Sequence, residues 1–95
     1  MLEIISPCLN EGENVDIFIN KVRETLKDNN IDDYLITIVD DGSNQKTLQF
    51  YKKYFDEKDI RTIILAKNYG HQTALVAGLE NSMGDHILVL DLDLQ

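Results

Sequence analysis

Residues 34–43 read YLITIVDDGS, from Tyr34 to Ser43. Tyr34 to Val39 is a nearly continuous apolar, β-branched run. A strand covered on only one face alternates apolar and polar residues, whereas a strand buried on both faces of a parallel sheet has no need to. The run stops at Asp40-Asp41-Gly42-Ser43, a dense turn signal. The segment therefore predicts a buried parallel strand that delivers two carboxylates to the loop at its carboxyl end.

The flanks on either side extend the pattern. Toward the N-terminus, Leu2 to Ser6 reads as a short strand closed by Pro7, followed by the loop CLNEGEN. Asn14 is the expected cap of a first helix, in which Val15, Phe18, Val22 and Leu26 recur at helical spacing and Ile19 widens the stripe. Asp28-Asn29-Asn30 ends it. Toward the C-terminus, a second helix is expected over Lys46 to Phe55, with Leu48, Tyr51 and Phe55 on one face. Arg61 to Ala66 reads as a third strand and Lys67 to Gly70 as its loop. His71 to Ser82 reads as a third helix with Ala74, Leu75, Gly78 and Leu79 on its packing face. Gly84-Asp85 turns the chain into a fourth strand, His86 to Leu90. The order β-α-β-α-β-α-β predicts an α/β fold of three layers, α/β/α, with a Rossmann-like parallel sheet and right-handed crossovers.

With 95 residues the chain is expected to be a single domain, 1–95, and a domain of this size has a thin stability margin. The apolar share of 43% is that of an ordinary soluble globular protein. A net charge of −8 argues against a nucleic-acid or anionic-membrane binder that works by overall charge. It leaves room for a nucleotide held by local groups and a metal. The single cysteine, Cys8, excludes an internal disulfide, and the N-terminus shows no secretory pattern, so a cytoplasmic setting is expected. Cys8 itself reads as a small, partly buried structural residue.

In parallel α/β sheets, ligands bind outside the carboxyl ends of the strands. Four polar clusters fall on that edge: Asn10-Glu11, Asp40 to Ser43, Lys67 to Gly70, and Asp91, Asp93 and Gln95. The loops at the opposite edge read as plain solvated turns. Asp91 and Asp93 lie two apart, so in an extended segment their carboxylates point to the same side and repel unless a cation lies between them. Gln95 adds a neutral oxygen, and an oxygen-only set suits Mg²⁺ or Mn²⁺ rather than zinc. The plainer reading is an acidic strand end in water. Asp40 and Asp41 read either as turn and cap chemistry or as acceptors for a base N–H or a ribose hydroxyl. Glu11 reads equally as a solvated loop acid or as a sugar or base contact. Lys67 is either a solvated strand-end charge or a cation for a nucleotide, and His71 reads as a helix-start residue.

Taken in order, PCLNEGENV (7–15), IVDDGSNQKT (38–47), KNYGHQTALVAGL (67–79) and GDHILVLDLDLQ (84–95) resemble the N-terminal half of a family 2 glycosyltransferase with the GT-A fold. The closest branch resembles the polyprenyl-phosphate glycosyltransferases, such as dolichol-phosphate mannose synthase. Leu92 departs from the small residue, usually Ala, found between the two aspartates. The resemblance implies that Pro7, Leu9 and Glu11 line a nucleotide pocket with Glu11 near the ribose. It implies that Asp41 contacts the base with Asp40 supporting the loop, and that Lys67 lies beside the base or phosphates. Asp91, Asp93 and Gln95 would hold Mg²⁺ or Mn²⁺ on the diphosphate, which makes Asp91 and Asp93 the catalytic pair.

The implied reaction is inverting displacement at the anomeric carbon of a UDP- or GDP-linked sugar, toward a lipid-phosphate or glycan acceptor. The chain is expected to be the donor-binding part, its acceptor half lying beyond Gln95, with the parent at the cytoplasmic face of a membrane. Strand four is then expected to be a bare edge that pairs with another copy or a crystal neighbour. Two rival expectations are a nucleotide-binding fragment without turnover and a Mg²⁺-dependent phosphatase-like domain.

Overall fold

The structure, a computed structural model, describes residues 1–92. Four strands form one wholly parallel sheet in the order β3-β2-β1-β4. They are β1 (Leu2–Cys8), β2 (Tyr34–Asp40), β3 (Ile60–Ile64) and β4 (His86–Val89). Between them run α1 (Gly12–Asp28), the short α2 (Gln45–Leu48) continued by a 3₁₀ helix (Gln49–Tyr54), and α3 (His71–Glu80). The expected three-layer α/β architecture is what the chain forms.

Residues 34–39 form the inner strand β2, paired with β1 along its whole length and with β3 from Ile36 onward. Ile36 and Ile38 face the larger core, and Val39 faces the smaller one on the opposite side. The larger core takes the predicted α1 stripe, since Val15, Phe18, Ile19, Val22 and Leu26 are all buried. The other face is covered by α3, which sits close because its contact residues are small. A Cβ on Gly78 would lie 2.8 Å from Ile5 Cγ2 and 3.0 Å from Val39 Cγ2.

Several boundaries differ from expectation, each for a local reason. Pro7 does not close β1 but lies inside it, paired with Val39. The Leu90 N–H donates to the Ile5 carbonyl, so alternate residues of β1 point toward β4, and the nitrogen of Pro7 points the same way. The β1–β4 ladder ends at Ile5 and Val89, so no bond is lost there. Helix α1 begins at Gly12 with Glu11, not Asn14, at the cap position; the Asn14 N–H donates to the Glu11 carbonyl at 2.8 Å.

The second helix tightens to 3₁₀ geometry, whose three-residue repeat carries Tyr51 and Tyr54 inward. Phe55, expected inside, is 59% exposed. Strand β3 starts one residue earlier and stops at Ile64, α3 ends at Glu80, and Leu79 is exposed rather than packed.

The opposite-edge loops are also more than solvated turns. Glu3 is completely buried and accepts hydrogen bonds from the Thr37 hydroxyl (2.5 Å), Arg61 (2.9 Å) and the backbone N–H groups of Met83 (2.6 Å) and Gly84 (3.0 Å). Burial raises its pKa, but the three hydrogen bonds from Thr37, Met83 and Gly84, together with the Arg61 charge, outweigh that and leave it below the ordinary carboxylate value. Asp59 likewise takes both Arg23 and the Tyr34 hydroxyl.

Candidate active site

The carboxyl ends of the strands open onto a cleft of about 460 Å³. Strand β1 and its loop supply Pro7, Cys8, Leu9 and Glu11; the end of β2 supplies Asp41; the β3–α3 loop supplies Asn68, Gly70 and His71; and the end of β4 supplies Asp91 and Leu92. Polar clusters from all four strand ends meet in one place, as the order of elements predicts.

The loops are tied to one another by short polar links. Asn10 adopts a left-handed φ of 53° between Leu9 and Glu11. Its N–H donates to Ser43 Oγ at 2.8 Å, and its Oδ1 accepts the Asn44 N–H at 2.8 Å. Asp41 is only 3% exposed, and its two oxygens accept the N–H groups of Tyr69 (2.9 Å) and Gly70 (3.1 Å). Gly42, at φ 76°, lies flat against the third loop. A Cβ there would fall 2.2 Å from the Lys67 carbonyl carbon and 2.3 Å from the Asn68 nitrogen. Both the backbone angle and the contact demand glycine.

The sequence-predicted residues separate into groups. Pro7, Leu9, Glu11, Asp41 and Asp91 line the cleft. Asp40 is fully buried beneath it, where it accepts the Tyr51 hydroxyl at 2.6 Å and the Ser43 N–H at 2.8 Å. Its place is that of a loop support. Lys67 is not among the residues lining the cleft; its Nζ lies 5.3 Å from the centre of the Tyr69 ring. Asp93 and Gln95 lie outside the described residues. Leu92, bulkier than the residue expected there, is 3% exposed and packs into the larger core.

Asn68, expected at this edge only as part of the Lys67 to Gly70 cluster, and His71, expected only as a helix-start residue, also line the cleft. Asn68 Oδ1 accepts the Gly70 N–H at 2.9 Å, the Asn-x-Gly turn that leads into α3. Cys8 also lines the cleft while only 1% exposed, and burial pushes its thiol pKa up, away from the thiolate form.

The donor set suits a hard divalent cation better than a soft one. Glu11, Asp41 and Asp91 present carboxylates to the cleft, and no Lys or Arg is among the described residues that line it. Among the described residues no three His, Cys, Asp or Glu side chains form a metal cluster, and Asp91 is the described member of the predicted ligand set.

Fold and cleft together define a parallel α/β domain with an acidic carboxyl-end site. The chain belongs to Glycosyl transferase family 2, whose sequence profile matches residues 3–95. It is 35% identical over 95 residues to the uncharacterized glycosyltransferase sll0501 of Synechocystis sp., covering 99% of this chain and 30% of that protein. It is 30% identical over 96 residues to the undecaprenyl-phosphate 4-deoxy-4-formamido-L-arabinose transferase of Pectobacterium atrosepticum, covering 99% of this chain and 29% of that one. The chain thus spans just under a third of the length of these relatives.

Two solved structures share the fold. The mannosyltransferase PcManGT from Pyrobaculum calidifontis, in complex with GDP-Man and Mn²⁺, superposes with a TM-score of 0.78 at 17% identity, over 97% of this chain and 27% of that one. S. aureus TarS 1-349 in complex with UDP-GlcNAc gives 0.77 at 22% identity, over 97% and 26%.

Proposed function

We propose that this chain is the donor-binding part of an inverting glycosyltransferase that moves a sugar from a nucleoside-diphosphate sugar to polyprenyl phosphate. The observation that carries it is the meeting of Glu11, Asp41 and Asp91 in one cleft whose loops are fixed by Asp41 and Gly42. Family membership, undecaprenyl-phosphate transferases among the relatives, and nucleotide sugars in the structural neighbours support the same reading.

In this reading each residue has a limited task. Asp41 keeps acceptor capacity beyond its two backbone amides and takes a base N–H. Glu11 takes a ribose hydroxyl. Lys67 reaches the base or phosphates from the rim, and Pro7 and Leu9 shape the wall. Asp91, with Asp93 and Gln95, holds Mg²⁺ or Mn²⁺ at the diphosphate. That cation supplies charge stabilisation to the departing nucleoside diphosphate when bound. A lipid-phosphate acceptor is already an anion and asks little of a general base.

Titration calorimetry of UDP and GDP, with and without Mn²⁺, tests this on the unaltered chain and on Asp91→Asn. We expect metal-dependent binding of one nucleotide, at least about tenfold weaker in the variant, which is roughly 1.4 kcal/mol. Binding of neither nucleotide, or binding indifferent to metal and to Asp91→Asn, would overturn the proposal. A transfer assay on this chain and on an extended one then separates turnover from a nucleotide-binding fragment without catalysis.

Two further parts of the proposal concern surroundings. The single free Cys8 supports a cytoplasmic setting, with the parent at the cytoplasmic face of a membrane. No helix among the described residues is long and apolar enough to cross a membrane. Strand β4 supports self-association. All four of its residues are exposed, and the Ile87 and Val89 backbone groups face away from β1, where an antiparallel copy of the same edge would satisfy them.

A further inference from the structure

We infer that Tyr51, which lies outside the cleft, is a positioning residue for the nucleotide-facing loop, acting through Asp40 and Ser43 on Asn10. The inference rests on the donor-site reading above.

The links form an unbroken chain of hydrogen bonds. The Tyr51 ring is fully buried under the 3₁₀ helix, and its hydroxyl donates to Asp40 Oδ1 at 2.6 Å. The other oxygen, Oδ2, accepts the Ser43 N–H at 2.8 Å. Ser43 Oγ then accepts the Asn10 N–H at 2.8 Å, and Asn10 Oδ1 closes back on the Asn44 N–H at 2.8 Å. Asn10 holds a left-handed backbone between Leu9 and Glu11, both of which line the cleft.

Asn tolerates that conformation better than other side chains, and its surroundings decide whether it is held there. Here the surroundings are the two bonds to the second loop. That loop is in turn oriented by a carboxylate that is fully buried and accepts the Tyr51 hydroxyl and the Ser43 amide. Burial, followed by the bond to Asp40, pushes the Tyr51 pKa up, so the phenol keeps its proton and stays a donor. If that donor is removed, one oxygen of a buried carboxylate loses its partner. Asp40 can then turn toward another donor, which changes its hold on Ser43.

The position also explains why nothing local in the sequence marks Tyr51 for this task. It reads as one apolar member of a helix face. Its hydroxyl meets Asp40 eleven residues back only because the helix folds under the end of β2.

The test is calorimetric titration of UDP and GDP, with Mn²⁺, into the unaltered chain, Tyr51→Phe and Ser43→Ala. Phe keeps the buried ring and removes only the hydroxyl; Ser43→Ala breaks the next link without touching the core. We expect each variant to bind the preferred nucleotide about tenfold more weakly, with the fraction of competent chains unchanged. A merely structural role would lower the competent fraction and leave the Kd of the folded chains where it was.

An unchanged Kd in Ser43→Ala, or in a folded Tyr51→Phe, overturns this inference alone. Should Tyr51→Phe fail to fold, Ser43→Ala decides by itself. Binding of neither nucleotide by the unaltered chain overturns the donor-site reading and this inference with it.

Discussion

Two buried carboxylates, Asp41 and Glu3, solve the same local problem at opposite ends of the sheet. Each accepts two consecutive backbone amides from a loop that flanks α3. Asp41 takes Tyr69 and Gly70 just before the helix, and Glu3 takes Met83 and Gly84 just after it. The difference lies in what else they hold. Glu3 adds the Thr37 hydroxyl and Arg61, reaches four donors, and is sealed from solvent. A carboxylate has about four lone-pair sites, so Glu3 is saturated. Asp41 lines the cleft with half its capacity in use. The first arrangement serves stability; the second leaves an acceptor for a ligand.

Breaking the saturated clasp should have the largest effect. Glu3→Ala leaves the Arg61 charge and two loop amides without their partner. A loss of about 3–5 kcal/mol is expected, the range for a buried pair broken from one side. Urea denaturation reads it, and a loss under about 1 kcal/mol would mean the clasp is slack. Nucleotide Kd in the folded fraction should not change, because Glu3 is far from the cleft lining.

Breaking the open clasp should divide its effect differently. Asp41→Ala is expected to cost about 1–3 kcal/mol of stability, the cost of unpaired buried amides, and to abolish nucleotide binding. A variant that bound as well as the unaltered chain would place Asp41 with the supports rather than the site.

Acid acts on the Glu3 clasp. The folded pKa of Glu3 lies below its unfolded value, which is the ordinary carboxylate value of about 4.5. Its stabilising contribution is therefore fully present above that unfolded value and disappears as pH falls through the lower folded one. Asp59, depressed first by its Arg23 hydrogen bonds, acts in the same direction. Urea midpoints measured downward from pH 6 should fall for the unaltered chain and fall less for Glu3→Gln. Parallel curves would deny Glu3 a part in acid unfolding.

The smallest effect is expected at the sheet edge. Val89→Lys on β4 should leave the fold within about 0.5 kcal/mol, as for other surface changes, and abolish self-association seen by light scattering. A chain that is monomeric before the change would remove the proposed pairing.

The two clasps also show what could be read before folding. The α1 stripe was legible because five apolar positions recur at helical spacing and all five are buried. The site was legible as a place, because alternating elements send every other loop to one edge. Neighbouring residues of an extended chain point to opposite sides, so only one of Asp40 and Asp41 could face the cleft. Glu3 was not legible. Its partners lie 34 to 81 residues away, and in sequence it is a lone acid between Leu2 and Ile4. The second helix misled by period: a 3.6-residue repeat selects Phe55, whereas the 3.0-residue repeat selects Tyr54.

Leu92 bears on how β4 keeps its alignment. The strand is held by a ladder of only four residues, Leu2↔His86 to Ile5↔Val89. Its start is aligned by Glu3, which takes the Met83 and Gly84 amides just before the strand. Leu92 aligns its end. Asp91 opens to the cleft and Leu92 is pressed into the core beside it. A displaced strand would drive a carboxylate into hydrocarbon and push a leucine into water. The residue between the two aspartates thus works as an indexing pin, checking by its own burial that the acid next to it has arrived in the right place.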